Sequence, residues 1–360
     1  FLMTLVSVAL ILHRRSQGLL RDEHPFQGWL SREVLFVLNN LIFMALFIAI
    51  FWGSFGAPIF SELVMNTKIT LGLDYFLRVT PPLFLALFIL MGVAPISAWG
   101  ATSLRRMGIS LLIPVGLTIA SLALFILSGV NDIGALVGYG FVLLAAWVAI
   151  YETLRGYQAR RSAHGSRESA FASMGKLITR NPRRYGGYLI HLGVTVIGLG
   201  VIGSTLFQLE TQRTLGVGES LSIGDYQMRY DRFEGGQVTQ DGRIMDIAVV
   251  SVIRDGQEIT QLRPRRDFFP GTEGLNSMTI AGAHSTIEND FYVILVGWDE
   301  VSQANATFKV YVNPLINLVW WGGLILILGT MISTLPMEIV PARTRRSLQL
   351  NQAAAPAGGD

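Results

Sequence analysis

Residues 35–51 read LFVLNNLIFMALFIAIF, seventeen positions without a charge. A run like this permits few folds. In a bilayer every backbone N–H and C=O must be satisfied within the segment or within a closed barrel, and a run this apolar, with no polar alternation, leaves only the helix. Comparable runs recur along the chain. Each is close to the ~20 residues that cross a hydrocarbon core of about 30 Å. The composition agrees: 51% of the 360 residues are hydrophobic and 15% are charged, too apolar for a water-soluble domain of this size.

The reading is a polytopic α-helical membrane protein with about seven spans: 1–12, 34–56, 80–100, 107–128, 133–154, 186–206 and 313–335. The first is short and stops at His13-Arg14-Arg15, so it reads as a truncated span of a longer protein. There is no cysteine, which excludes disulfides, thiolate metal ligands and thiol redox chemistry in this chain. Pro95 and Pro114 are expected to kink or break two consecutive spans. Ion-coupled transport is disfavoured, because such carriers hold charged residues at mid-membrane and these spans hold almost none. Glu152 lies at a span end.

Basic residues alternate between the two sides. Arg14, Arg15, Arg21 and Arg32 lie in loop 13–32, and Arg105 and Arg106 in 101–106. Loop 155–185 holds Arg155, Arg160, Arg161, Arg167, Lys176, Arg180, Arg183 and Arg184, and the tail holds Arg343, Arg345 and Arg346. The intervening loops 57–79 and 129–132 hold only Lys68 and Arg78. By the positive-inside rule the first group is cytoplasmic, which places 207–308 on the periplasmic or outer side of a bacterial plasma membrane. The expected organisation is a helical region 1–206, a small all-β extracytoplasmic domain 207–308, a last helix within 309–337 and a disordered cytoplasmic tail 338–360.

The β domain is read from SLSIGDYQMRY, IMDIAVVSVI, EITQLRP, DFYVILVGW and TFKVYV. Asp255-Gly256 is a hairpin signal between two of them and Asp241-Gly242 a further turn. Five or more short strands in about 100 residues imply a small antiparallel barrel or sandwich.

The run RRYGGYLIHLGVTVIGLG, 183–200, carries one titratable residue inside its apolar part, His191. It lies seven residues past Arg184, about 10 Å deep at 1.5 Å per residue. Gly187 and Gly198 share its face, with Thr195 nearby. One reading is helix packing, small residues admitting a neighbour to which the histidine hydrogen-bonds. The other is an axial haem ligand over a flat, glycine-lined surface. Asn39 and Asn40 sit at about the same depth, seven and eight residues past Arg32. They serve either interhelical hydrogen bonding or, at one of the two positions, as the acceptor that fixes the histidine tautomer. His13, His24 and His164 read as solvated loop residues, and His284 as structural or surface.

SREVLFVLNNLIF, FWGSFGAPIFSEL, KITLGLDYF, PPLFLALFILMGVAP, NPRRYGGYLIHLGV, LRPRRDFF, MTIAGAHSTIENDFYVIL and NPLINLVWWGGLILILGTMIS occur in that order. Together they resemble the C-terminal half of the CcmF family, the membrane component of the haem lyase of bacterial cytochrome c maturation. The resemblance implies haem handling, reduction and ligation to apocytochrome c. It also implies a b-type haem between two intramembrane histidines, with His191 at one position and the second ligand upstream, outside this chain. Haem would in addition be the transferred substrate. The implied partners are a haem chaperone, a thiol-handling subunit and apocytochrome c, in the lipid bilayer and without nucleic acid. The family's tryptophan-rich segment is not in this chain, so the chain is not expected to ligate haem alone. Arg266-Asp267-Phe268 departs from the family's basic–X–tyrosine pattern. The alternative function is a cofactor-free docking subunit that recruits a periplasmic partner through its β domain.

Overall fold

The structure is a computed structural model that describes residues 2–19, 28, 30–67, 69–97, 104–164, 169–269, 277–299 and 304–336. His24, Lys68, loop positions 98–103 and the tail beyond 336 lie outside the described residues. The chain divides into two units, Phe1–Gly116 and Leu117–Asp360.

In the first unit α1 is Leu2–Ser16 and α2 is Arg32–Phe51, which runs through a π-helical turn, Trp52–Gly56, into α3, Ala57–Met65. The rod Arg32–Met65 is therefore one helix of 34 residues, longer at both ends than the expected 34–56. Ser31 starts it by accepting a hydrogen bond from the Val34 amide, and Asn66 ends it in the left-handed conformation at φ 52°. The π turn is where Tyr75 packs: a Cβ on Gly53 would lie 2.6 Å from that ring, and the Tyr75 hydroxyl donates to the Ala49 carbonyl at 3.0 Å. Glycine is required because the two helices touch there.

The span expected at 80–100 is α4, Leu73–Val93. Pro81 and Pro82 both lie inside α4, where a membrane helix tolerates the lost donors. Gly72 is the N-cap, Asp74 lies in the first turn, and Pro95 follows the end of the helix. Arg78 is thus part of a helix and not of a loop. Arg32 donates to the Pro95 carbonyl at 3.0 Å and Ser97 to the Leu30 carbonyl at 2.9 Å, joining the start of α2 to the end of α4. Next comes α5, Leu104–Leu127, with Pro114 inside it.

The second unit contains α6 (Ile133–His164), α7 (Ala170–Arg180), α8 (Pro182–Leu206), ten strands and α9 (Asn317–Ser333). At 32 residues α6 is about 48 Å long, well beyond a hydrocarbon core, so its arginine-bearing end leaves the apolar layer. The amphipathic α7 was not anticipated. Five helices among the described residues are long and apolar enough to cross a membrane, and α9 is a shorter apolar helix of 17 residues. The chain is a multi-pass membrane protein carrying one β-sandwich domain.

The sandwich has one sheet ordered β1 (Leu209–Gly216), β10 (Asn305–Pro314), β9 (Asn289–Trp298), β8 (Gly282–Ser285). The other is ordered β2 (Ser220–Ile223), β3 (Tyr226–Val238), β4 (Ile244–Arg254), β6 (Arg265–Phe268), β7 (Ser277–Ile280), with β5 (Gln257–Leu262) also paired to β4. Paired strands for which register is described are antiparallel. Alternate residues of β3, β4, β9 and β10 fill the interior, among them Tyr230, Val250, Phe291 and Phe308, all fully buried. Asp255 and Gly256 both take positive φ, 54° and 77°, the type I′ geometry that the right-handed strand twist favours. β10 continues past 308, the expected limit, because NATFKVYVNP alternates buried and half-buried to its end. Its apolar character had blurred into that of the last span.

Asp267 is fully buried and lies 3.0 Å from Arg243 Nη1 and 3.1 Å from Arg265 Nε. The Arg265 contact is close but not aligned for a hydrogen bond, so it acts as charge neutralisation. Arg266 donates to Ser277 Oγ at 3.0 Å. The RRDF segment is therefore engaged in holding β4, β6 and β7 together.

Candidate functional site

The site is built on α8. Pro182 opens the helix at its first turn, where a missing N–H costs nothing, and Arg183 and Arg184 mark its charged end. The glycines that follow fall on two faces. Gly186, Gly193 and Gly200 recur every seven residues and pack on α9. A Cβ on Gly186 would lie 2.6 Å from the Ser333 amide nitrogen, and one on Gly193 2.6 Å from that of Leu326. Reciprocally, a Cβ on Gly322 would lie 2.6 Å from the Gly193 carbonyl and one on Gly329 2.7 Å from the Ile190 amide. The helices run antiparallel with backbones in contact, the small-residue packing of membrane helices.

Gly187, His191 and Gly198 are turned about 100–140° away from that seam at 100° per residue. A Cβ on Gly187 would meet nothing within 4 Å. Gly198, further along, is buried. His191 is half-buried, its Nδ1 is buried without a hydrogen-bond partner, and the ring makes no hydrogen bond among the described residues. Thr195 is fully buried, its hydroxyl bonded to the Leu192 carbonyl at 2.7 Å, so it offers the histidine nothing. Packing and open surface are thus both present on this helix, on different faces and from different glycines.

An orphaned imidazole nitrogen beside an open glycine surface fits one axial side of a haem: the ring has a lone pair uncommitted to protein, and no side chain fills the space at Gly187. Only one such ligand is evident, and no cluster of three or more histidine, aspartate or glutamate side chains that could hold another metal occurs among the described residues. Asn39 is half-buried and Asn40 exposed on α2, in the other unit, and neither side chain makes a hydrogen bond among the described residues. His13 is exposed, bonded to Gln17 at 3.0 Å, and His284 is half-buried on edge strand β8.

The sequence reading missed a polar cluster at the arginine-rich end of α6 and α8. The Glu152 carboxylate is 95% buried and accepts from Arg184 Nη2 at 3.0 Å and Arg155 Nη1 at 3.3 Å. Arg184 Nε donates to the Tyr188 hydroxyl at 3.1 Å, and its guanidinium lies over the Tyr185 and Tyr188 rings. The Tyr185 hydroxyl is set against Gly156 of α6, where no side chain could stand. The available signal was an acid at a span end facing the RRYGGY turn across the bundle.

Residues 206–314 match the family model described as the CcmF C-terminal beta-sandwich. Cytochrome c-type biogenesis protein CcmF of Pseudomonas aeruginosa is 28% identical over 356 residues, covering 97% of this chain and 51% of that protein. CcmF of Escherichia coli is 24% identical over 302 residues, covering 84% and 43%. The chain is similar to CcmF along nearly its whole length. A solved structure titled Cytochrome c Heme Lyase CcmF superposes with a TM-score of 0.63 at 22% identity, over 86% of this chain and 46% of that one, which shows a shared fold. The chain spans about half the length of the CcmF proteins it matches.

Proposed function

We propose that this chain is the C-terminal part of a membrane haem lyase acting in cytochrome c assembly, and that His191 is an axial ligand of a b-type haem held within its spans. The observation that carries the reading is the His191 imidazole, its Nδ1 unpartnered, one helical turn from the open position Gly187 on α8. A polar ring so placed in an apolar helix is costly without a partner, and iron is the partner its chemistry suits. Gly187 provides the open surface that would face the macrocycle, while Gly198, on the same side of the helix, is covered by protein. The second axial ligand comes from upstream of this chain. When bound, the haem supplies one-electron redox chemistry. The chain's own part is to hold the imidazole in orientation, to keep the site in an apolar setting through α6, α8 and α9, and to fix the α8–α9 pair under the sandwich. There Gln208 bonds Asn313 at 2.6 Å and Asn317 bonds the Thr286 carbonyl at 2.5 Å.

The relatives' names support a role in cytochrome c biogenesis. With them come the partners of that process: a haem chaperone, a thiol-handling subunit and apocytochrome c, which itself supplies the thiols that this cysteine-free chain lacks. The arginine-rich ends face the cytoplasm and the sandwich faces the periplasm of a bacterial inner membrane. The test is His191→Ala in the full-length protein. Haem per protein should fall and cytochrome c maturation should be lost. Unchanged haem content with normal maturation would remove the ligand role.

A further inference from the structure

A cavity of about 260 Å³ lies between α6, α7 and α8 at the arginine-rich end of the spans. Its walls are Ile150 and Leu154 of α6, Met174 and Ile178 of α7, and Leu189 and Leu192 of α8. The polar groups on the lining are few, and two of the three already hold a hydrogen bond. The Thr153 hydroxyl bonds the Ala149 carbonyl at 2.8 Å, Tyr185 is set against Gly156, and the Tyr188 hydroxyl accepts from Arg184. Aliphatic side chains make up most of the wall and offer water few partners, so the space suits hydrocarbon. His191 is not on this wall.

The rim has the opposite character. Arg184 stands over Tyr185 and Tyr188, both of which line the cavity. Arg155 adjoins the lining residue Leu154, and Arg180 and Arg183 are exposed. Among the described residues here the one acid is Glu152, which is shared by two arginines and cannot neutralise them all. Amphipathic α7 completes the setting: Leu177 is buried and Phe171 is 93% exposed, as on a helix lying at a membrane surface.

An apolar chamber at bilayer level with a cationic rim matches one ligand class. We propose that this cavity binds an anionic phospholipid, one acyl chain inside it and the headgroup phosphate at Arg184 and its neighbouring arginines. A neutral lipid would leave the rim unpaired, and a free anion would leave the chamber unfilled.

The test is native mass spectrometry of the full-length protein equilibrated with equal amounts of phosphatidylglycerol and phosphatidylcholine bearing the same chains. One phosphatidylglycerol should be retained, about tenfold over phosphatidylcholine, a difference of about 1.4 kcal/mol. The double variant Glu152→Gln/Arg184→Gln, which removes both charges together, should lose the preference while still holding lipid. Ile178→Trp, which fills the chamber, should reduce retention of both lipids. Leu154→Phe fills it from the opposite wall and decides the point if the first variant does not accumulate. Equal retention of the two lipids by the unmodified protein, undiminished retention in the filled variants, or displacement by an equal concentration of inorganic phosphate would overturn the proposal.

Discussion

At the scale of single residues, two glycines six positions apart on α8 have opposite roles. Gly193 is in backbone contact with α9, whereas Gly187 faces open space. Gly193→Leu should therefore lower the amount of folded protein in the membrane, by the several kcal/mol that overpacking at a backbone contact costs (about 1–3 kcal/mol, and more where nothing can move). Gly187→Leu should accumulate normally and carry less haem per protein. Immunoblot level and haem-to-protein ratio, measured on both, separate the effects; a Gly187→Leu protein with full haem would show that this face does not meet the macrocycle. His191 and Gly187 were legible because a lone titratable residue in an apolar run stands out at once. The seam was harder to see: the same glycine-rich string encodes both faces, and only the seven-residue recurrence of 186, 193 and 200 tells them apart. Asn39 and Asn40 rested on depth alone, and their amides are unbonded within the described residues. Replacing each with leucine should leave accumulation intact, and a shift of haem potential in either variant would give that amide a role at the haem.

At the scale of elements, the Glu152 cluster links α6 to α8. Arg184→Met leaves the buried carboxylate with Arg155 alone, whereas Glu152→Gln removes the charge that needs a partner. The arginine variant should be the less stable by on the order of 1–3 kcal/mol, below the full cost of breaking a buried pair because Arg184 is half-exposed. Thermal unfolding in detergent checks the order; the reverse order would mean that Arg155 suffices. In the sandwich, burial pushes the Asp231 carboxyl up, but hydrogen bonds from Ser251 and Arg229, the Arg229 charge and Gln261 prevail and hold it below its ordinary value. A carboxyl depressed in the folded state stabilises fully above its unfolded pKa, and this contribution fades as pH falls through the folded one. The sandwich should thus lose stability below about pH 4, and Asp231→Asn should flatten that loss, as read by amide hydrogen exchange across β3, β4 and β5. Sequence alternation revealed β2, β3, β4, β5, β9 and β10. It passed over β1, a polar edge strand, and the four-residue β6, β7 and β8, which are too short to show a period. Helix ends moved as well: the span expected from 80 begins at Leu73, because LDYFLRV carries Asp74 and Arg78 and so lowers the local apolarity.

At the scale of the whole molecule, the order of elements follows from hydropathy: apolar runs become helices, and the polar alternating stretch becomes the sandwich between α8 and α9. What hydropathy could not convey is the pairing. The extension of α6, the surface helix α7 and the α8–α9 seam depend on which helices meet, information carried by small residues and buried charges and not by average apolarity. The central claim is that the His191 imidazole occupies one axial position of a haem. The most direct measurement is cavity complementation: the absorption spectrum of full-length His191→Gly titrated with free imidazole. The account predicts low haem occupancy without imidazole and recovery of a six-coordinate, low-spin b-type spectrum on its addition, saturating at one imidazole per protein. Wild-type haem content without imidazole, or a spectrum that imidazole leaves unchanged while the protein remains folded, would contradict it.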